Sequence, residues 1–385
     1  MKKYFCILCL FFATQKLAFA IDLNWSFSVL GDKTSACSHH LEKEEYNNAL
    51  YLCEDDAKSG DVAAQHATGL LYYSGLAGSE DYDKAFYWIK TSAENGNKDS
   101  YNYLGYFYHK GIGTEVDKKA ALEWYSKASI AGDMEGQFNL GLLYENGIVV
   151  EKDIDKAAIQ YKKSAEQGHV NAKTNLGTLY FKGDGVEQDH RKAMELFLEA
   201  AKEGQKTAQN NVGNGYLAGV GIQQDYGQAL YWLSEAASQG ETRAYVNLGL
   251  IYAKGLGTKV NMSEAIKWYR KAAEIDDVQA QLHLGLIYYD GISIKKDSKE
   301  GVKWLSKAAS AGDPIATYHL SIANITGEGK KQDIATGYIL AVIAVKRGNE
   351  NAKEIVSYLN NKLTESQLRA LRESADSALR KLNLH

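Results

Sequence analysis

The chain has 385 residues, of which 45% are apolar and 24% are charged, so its composition is that of a folded globular protein and not of a disordered one. It contains one proline but 35 glycines, and the scarcity of proline favours a mostly helical chain, because proline removes a backbone donor and clashes inside helices. The formal net charge is −4 and no basic block is present, which argues against nucleic acid and anionic membrane surfaces as partners.

The first 20 residues have the pattern of an export signal. Two lysines at 2–3 precede an apolar run over 4–13 that is too short to span a bilayer, and 18–20 read Ala-Phe-Ala, a cleavage site of small residues. We therefore predict that residues 1–20 are a signal peptide and that the mature protein is periplasmic or secreted. The alternative is an uncleaved anchor, because Lys16 is unusual so close to a cleavage site. No other segment is apolar enough to span a membrane, so we expect no integral membrane segment after signal removal.

Residues 21–44 follow no repeat and are predicted to be a flexible lead. Of the four cysteines, Cys37 and Cys53 would remain after signal removal, in a compartment that permits oxidation. Their even count and the short loop between them predict one disulfide. The alternative is a pair of buried free thiols.

From residue 61 to residue 348 the sequence repeats every 36 residues without an insertion. One glycine recurs seven times at this spacing, from Gly69 to Gly285, and Ser321 holds the eighth position. A second glycine series runs from Gly75 to Gly327. Tyrosine and alanine recur in phases of their own. A period of this length with several phased residue types predicts a stacked repeat architecture.

Each 36-residue unit is predicted to form two helices. In the third unit, apolar residues at helical spacing indicate a first helix over 136–146, and Gly147 follows where a helix end favours a left-handed residue. Asp153 is the predicted N-cap of a second helix that ends near Glu166. The same phase carries capping residues in the other units: Asp81, Asp117, Asp189, Asp225, Asn261, Asp297 and Asp333.

Gly141 and its equivalents lie inside the first helix, where glycine costs about 1 kcal/mol relative to alanine. Repetition of that cost in seven units implies that side-chain volume is excluded at this position. We expect Ala157 and its equivalents to form the small face opposite, so that the two helices of a unit approach closely. A single unit could not bury its apolar faces alone, but stacked units could.

This pattern, for example Asn-Leu-Gly-Leu-Leu-Tyr at 139–144 followed by Gly147, Asp153 and Lys156-Ala157, resembles the Sel1-like repeat family. The resemblance implies an all-α fold, a right-handed α/α superhelical solenoid of helix-turn-helix repeats similar to tetratricopeptide repeats, with a concave inner face. Unlike the cysteine-rich members of the family, these repeats contain no cysteine. Residues 45–60 are predicted to be a half-repeat helix, and residues 349–385 capping helices. The eight predicted repeats are 61–96, 97–132, 133–168, 169–204, 205–240, 241–276, 277–312 and 313–348.

The sequence shows no constellation of catalytic residues, so we predict that the protein is not an enzyme and uses no cofactor. The nine histidines do not cluster, and the His39-His40 pair in the lead is expected to be exposed to solvent. His283 and His319 share one repeat phase, but a metal site needs more ligands than two, so no metal site is predicted. An active site assembled across several units is the alternative.

The residue two positions before the core glycine gives the most useful functional signal, because it is asparagine in four successive units. In the tetratricopeptide-like proteins that these repeats resemble, the first helices line the concave face, and asparagine there could bond an extended peptide backbone. The alternative is that each asparagine bonds the neighbouring unit and sets its register. Tyrosine and arginine are favoured interface anchors. The predicted protein-binding groove comprises Tyr101, Tyr103, Asn139, Lys173, Asn175, Asn211, Asn214, Arg243, Tyr245, Asn247, His283 and His319.

These observations lead to the hypothesis of an exported, monomeric scaffold or adaptor that binds a protein or peptide partner through its concave groove. Secreted Sel1-like proteins of this layout resemble bacterial factors for host-cell entry, such as the Legionella entry protein, so the resemblance implies host interaction or virulence. One alternative is a periplasmic regulator of a sensor kinase or of envelope assembly. Another is a hydrolase or β-lactam-binding protein, as proposed for some cysteine-rich relatives.

Overall fold

A computed structural model describes residues 36–383, and these residues form twenty α-helices and no strand. The predicted all-α repeat fold is confirmed. The signal-peptide prediction and most of the predicted lead lie outside the described residues. In the described part of the chain, no helix is long and apolar enough to cross a membrane.

The helices alternate between the first and second members of successive repeats. The first helices are α3 (Val62–Ser74), α5 (Asp99–Lys110), α7 (Met134–Asn146), α9 (Val170–Lys182), α11 (Lys206–Ala218), α13 (Arg243–Lys254), α15 (Val278–Asp290) and α17 (Pro314–Thr326). The second helices are α4 (Tyr82–Glu94), α6 (Lys118–Ile130), α8 (Ile154–Glu166), α10 (His190–Lys202), α12 (Tyr226–Ser238), α14 (Met262–Ala273), α16 (Ser298–Ser310) and α18 (Ile334–Lys346). The chain begins with α1 (Ala36–Glu42) and α2 (Tyr46–Lys58), and it ends with α19 (Ala352–Lys362) and α20 (Glu365–Lys381).

The residues divide into two compact units. Unit 1 comprises the described residues up to Ala208 together with Val220–Ile222, and unit 2 comprises Gln209–Gly219 and the residues from Gln223 onward. In unit 1, the fully buried rings of Tyr125 and Tyr161 anchor one core cluster between stacked helix pairs. In unit 2, Tyr269 and Trp304 share a corresponding cluster. Each unit therefore buries its apolar surface between neighbouring repeats, as expected of a stacked array.

Each core glycine of a first helix faces a large side chain on the second helix of the same repeat. A Cβ atom at Gly141 would lie 2.6 Å from Cε1 of Tyr161, and one at Gly249 would lie 2.6 Å from two ring carbons of Tyr269. The facing residue is always 20 positions later, as Ile89 is from Gly69. The glycine position does exclude a side chain, as expected. The residue that faces it, however, is not the recurring alanine of the second helix but the residue four positions later. The alanines, such as Ala157, are fully buried beside it.

The predicted helix caps are present in all eight repeats. The Asp153 carboxylate accepts a hydrogen bond from the backbone N–H of Lys156 at 2.9 Å, and the equivalent residues cap the other second helices. The backbone N–H of Asp153 also donates to the carbonyl of Tyr144 at 3.0 Å, which ties the loop to the end of the first helix. Gly147 has φ 64°, a left-handed conformation that favours glycine.

The N-terminal segment differs from the prediction. A second-type helix was expected over 45–60 behind a flexible lead, but residues 36–42 already form α1, which packs on α2. Cys37 and Cys53 are joined by a disulfide and are buried with Leu41 and Ala49. A helix of seven residues is too short to show periodicity in a sequence, and this explains why α1 was missed.

The C-terminal helices follow the predicted pattern. Thr364 and Gln367 form a capping box at the start of α20, in which each side chain bonds the backbone N–H of the other. Leu368 of α20 and Leu359 of α19 pack on Tyr338 of the last repeat. These two helices therefore cover the apolar end of the eighth repeat.

Replacement of a core glycine tests the packing of a helix pair. We expect Gly249→Ala to lower the free energy of unfolding by about 1–3 kcal/mol, because the added methyl group must displace the buried Tyr269 ring. Gly227→Ala is the matched control, since Gly227 lies exposed in the first turn of α12 and a Cβ there meets only a carboxylate oxygen of Asp225 at 3.3 Å. The control is expected to leave stability unchanged or to raise it by up to about 1 kcal/mol, because alanine favours the helix more than glycine does. Chemical denaturation of both variants measures the difference, and equal effects would contradict the packing explanation.

Candidate protein-binding surface

The four phased asparagines are buried and do not line an open surface. Asn139, Asn175, Asn211 and Asn247 expose only 3–5% of their area. This burial does not fit direct contact between these side chains and a ligand. Each lies on a first helix and is followed directly by a buried apolar residue: Leu140, Leu176, Val212 or Leu248.

Two of these asparagines bond across a repeat boundary. Nδ2 of Asn139 donates to Oδ1 of Asn102 at 2.8 Å, and Nδ2 of Asn247 donates to Oδ1 of Asn214 at 2.6 Å. Asn214, also predicted in the groove, is 8% exposed. Amides that bond between adjacent first helices are consistent with the alternative interpretation, in which asparagine sets the register of neighbouring repeats.

The two predicted groove cations are both engaged in ion pairs. Nζ of Lys173 lies 2.9 Å from a carboxylate oxygen of Glu203 and 3.3 Å from one of Glu199. Partial burial lowers the pKa of Lys173, but the hydrogen bonds that its ammonium donates to these two glutamates outweigh that effect, so the pKa lies above its ordinary value. Nε and a second guanidinium nitrogen of Arg243 donate to the two carboxylate oxygens of Glu241, at 2.8 and 3.1 Å. These side chains stabilise the repeats and are not free to receive an anionic ligand.

Two of the predicted tyrosines remain partly accessible. Tyr101 packs on the Trp124 ring with centroids 5.5 Å apart, and Tyr245 packs on Trp268 at 5.6 Å. Nζ of Lys271 lies 4.4 Å from the centroid of the Trp268 ring, a cation–π contact. Tyr103, in contrast, is 7% exposed, with its ring edge-on to His66, and this burial does not fit an accessible groove.

The two phased histidines are packed against aromatic rings. The His283 ring stacks on Tyr269 with centroids 5.1 Å apart, and the His319 ring lies near Tyr289 and Tyr318. Burial lowers the pKa of both imidazoles, which favours the neutral form. Residues 36–383 contain no group of three or more His, Cys, Asp or Glu side chains arranged to hold a metal ion.

A series of polar pairs 30 residues apart, which the sequence analysis missed, braces most repeats. Nε2 of Gln167 donates to Oε1 of Gln137 at 2.7 Å, and Gln239 bonds Gln209 in the same way at 2.8 Å. The remaining members of the series are Asn95 with Gln65, Glu203 with Lys173, and Arg347 with Thr317. We call these bonds the brace pairs. Comparing each repeat at the two positions 30 residues apart would have revealed these pairs, since both positions carry polar residues in the five repeats concerned.

A stripe of half-buried residues on the first helices was also missed. It comprises the residue that directly follows the core-glycine position. In unit 2 this residue is the buried Asn214 on α11, but on the next three first helices it is apolar and half-buried: Leu250, Leu286 and Ile322, continued in phase by Tyr358 of α19. Tyr358 is 58% exposed. Ile322, Ile325 and Tyr358 border a cleft of about 260 Å³ between α17 and α19. We call these four residues the first-helix stripe.

The repeat match confirms the architecture. Seven consecutive segments match the family described as Sel1 repeat: 62–97, 98–133, 135–169, 170–205, 206–241, 242–277 and 278–313. The chain belongs to the Sel1 repeat family. The eighth predicted repeat, 313–348, lies outside these matches but forms the same pair of helices, α17 and α18.

Two solved Sel1 repeat structures are similar over most of their own length. One is c5321, a protective antigen of uropathogenic Escherichia coli strains with an SLR fold, which is 25% identical over 94% of this chain and 95% of its own, with a TM-score of 0.62. The other is a Sel1 repeat protein from Oxalobacter formigenes, 31% identical over 63% of this chain and 96% of its own, with a TM-score of 0.56. No curated protein sequence matches the chain. A Sel1 repeat array is a helical scaffold, which is consistent with a role in protein interaction.

The register role of the asparagines is testable with a mutant cycle. Asn247→Ala removes the donor and leaves the buried Oδ1 of Asn214 without it, which we expect to cost about 1–3 kcal/mol of stability. The second single variant is Asn214→Ala, which removes the acceptor. In the double variant Asn214→Ala/Asn247→Ala both partners are absent, so its loss of stability should be smaller than the sum of the losses in the two single variants. Denaturant unfolding of the four proteins measures the coupling. Additive losses would show that the two amides do not depend on each other.

Proposed function

We propose that this protein is an exported scaffold that binds a protein partner through the first-helix stripe of unit 2. The observation that carries the proposal is the stripe itself, because apolar residues recur there at 36-residue spacing while remaining partly accessible. In most other phases of the first helices, apolar side chains are buried in the core.

The chemistry of the stripe suits a protein ligand. Leu286 and Ile322 offer aliphatic surface, and Tyr358 offers an amphipathic ring, a residue type favoured as an interface anchor. The cleft beside Tyr358 is lined largely by apolar side chains, with Glu354 at its edge. An apolar depression with a polar edge could accept an apolar side chain of a partner and exclude water around it.

We also propose that the protein acts outside the cytoplasm, in the periplasm or as a secreted protein. The Cys37–Cys53 disulfide supports this location, because disulfides persist in oxidising compartments. The similar protein c5321 is a protective antigen, and by analogy we propose a role at the host interface or in virulence. A monomeric state and the absence of catalysis stay predictions.

A matched pair of tyrosine variants tests the binding surface. Tyr358→Arg changes an exposed tyrosine of the first-helix stripe, and Tyr231→Arg changes a tyrosine that is 53% exposed on the second helix α12. We expect the mature wild-type protein to retain a partner in affinity capture. The Tyr231→Arg variant should retain the same partner, and the Tyr358→Arg variant should bind it at least about tenfold more weakly.

Melting temperatures of both variants control for misfolding, and both should match the wild type because each side chain is exposed. A partner that is lost with Tyr231→Arg and kept with Tyr358→Arg would assign binding to the second helices instead. Failure of the mature protein to retain any partner under host-mimicking conditions would contradict the scaffold proposal.

The disulfide gives an independent test of export. The protein purified from its native compartment should take up no thiol-alkylating reagent after denaturation without reductant, and two equivalents after reduction. Intact-mass spectrometry measures both values and also shows whether the chain begins at residue 21. Two free thiols in the native protein would contradict the proposed oxidising location.

A further inference from the structure

One repeat boundary in unit 2 departs from the pattern at two positions. A glycine recurs at 36-residue spacing in the loop that follows the second helix, and it adopts φ between 75° and 103°. It stands at positions 60, 96, 132, 168, 204, 240, 312 and 348. At the boundary between the sixth and seventh repeats this residue is Asp276, with φ 62°. An L-residue is strained in the left-handed region, although aspartate tolerates it better than most. A Cβ at the equivalent glycines would meet no atom within 4 Å, so the space there is open.

The second departure is an incomplete brace pair, in which a glutamine has no polar side chain 30 positions later. Gln281 occupies the first position of the series, like Gln137 and Gln209, but the residue 30 positions later is Ala311. The Gln281 amide instead donates to the carbonyl of Ala273 and to Oδ1 of Asp276, both at 3.3 Å. Gln281 is 2% exposed, so a buried amide borders the space that a glutamine at position 311 would fill, as Gln167 and Gln239 do at the equivalent positions.

The two departures meet at one pocket of about 390 Å³. Its walls are formed by Asp276, Gln281, Ser306, Lys307, Ser310 and Ala311, which come from the end of α14, from α15 and from the end of α16. The hydroxyls of Ser306 and Ser310 donate to the carbonyls of Val302 and Ser306 within α16. Their oxygens therefore keep lone pairs that can accept hydrogen bonds from a ligand.

Asp276 and Lys307 are the two charged side chains that line the pocket. Among residues 36–383 no lysine or arginine forms an ion pair with the Asp276 carboxylate. Nζ of Lys307 lies 4.9 Å from the centroid of the Trp304 ring, which does not line the pocket. The carboxylate and the serine hydroxyls thus form a set of acceptors beside apolar surface.

We propose that this pocket binds a cationic side chain, a guanidinium or alkylammonium group, presented by a protein partner. A guanidinium carries five N–H donors in a fixed planar arrangement, which matches a carboxylate with additional hydroxyl acceptors. The inference rests on the proposed function for the source of the cation, but the chemistry of the pocket does not depend on it. A glycine at position 276 would relieve the strain and a glutamine at position 311 would fill the space, so Asp276 and Ala311 together create the site.

Small blocked amino acids test the pocket directly. We expect N-acetyl-arginine methylamide to bind the mature protein with a dissociation constant of about 1 mM, measured by chemical shifts of the Gln281 side-chain amide in NMR spectra. The isosteric neutral citrulline derivative should bind at least about tenfold more weakly. Free arginine should bind no better than the blocked form, because the site takes a side chain from a peptide and not a free amino acid.

Two variants restore the repeat pattern and provide matched controls. Asp276→Gly should raise the melting temperature by about 2 °C and weaken binding of the arginine probe by about tenfold or more. Ala311→Gln should fill the pocket and abolish binding without loss of stability. Asp276→Asn keeps the shape of the side chain but removes its charge, so it should bind as weakly as Asp276→Gly.

Several results would overturn the proposal. They are no shift of the Gln281 amide at saturating probe, equal binding of arginine and citrulline derivatives, unchanged binding by Asp276→Gly or Ala311→Gln, and preferential binding of free arginine. A partner that requires Tyr358 and binds the Asp276→Gly protein normally, while the probe fails, would leave the proposed function intact and remove the pocket. If the probe binds but no partner requires Tyr358, the pocket would stand and the proposed function would be contradicted.

Discussion

The close approach of the two helices in each repeat is the constraint on which the rest of the structure depends. The core glycine of the first helix leaves no room for a side chain, because a ring or branched aliphatic residue 20 positions later occupies that space. The tight contact fixes the position of one helix on the other. The capping aspartate and the tyrosine carbonyl then fix the loop between them, so each repeat presents the same apolar faces to its neighbours.

Polar contacts between repeats add specificity to this apolar packing. The Asn139–Asn102 and Asn247–Asn214 amides bond across repeat boundaries, and most brace pairs join a first helix to the end of the second helix in the same repeat. Buried amides favour the one register in which their partners meet, since a shifted register would leave them unpaired. At Gln281, where no brace pair forms, the structure contains a pocket.

Much of the fold was predictable from the sequence. The 36-residue period located the helices, the N-caps and the left-handed glycines, because these depend on local chemistry that recurs in every repeat. The surface was harder to predict. In α7, the eight residues from Gly136 to Leu143 are all buried, so the first helix has no broad polar face that would show which positions reach solvent. Asn139 therefore looked like a groove residue, although adjacent repeats cover it.

The α1 helix and the pocket at Asp276 show two further reasons why prediction fell short. The α1 helix depends on burial against α2 and on the disulfide. Both contacts involve residues outside its own seven-residue segment, so the local sequence does not reveal them. The pocket depends on the coincidence of two departures, at Asp276 and Ala311, that lie 35 positions apart in the sequence and form walls of the same cavity. Each departure is visible in the repeat alignment, but only the structure shows that they meet.

The central functional claim is that the first helices of unit 2, and not the second helices, contact the partner. Hydrogen exchange of the protein with and without its captured partner tests this most directly, because amide protection reports which helices are covered. We expect slower exchange on binding in α15, α17 and α19. Slower exchange confined to α12, α14 and α16 would contradict it.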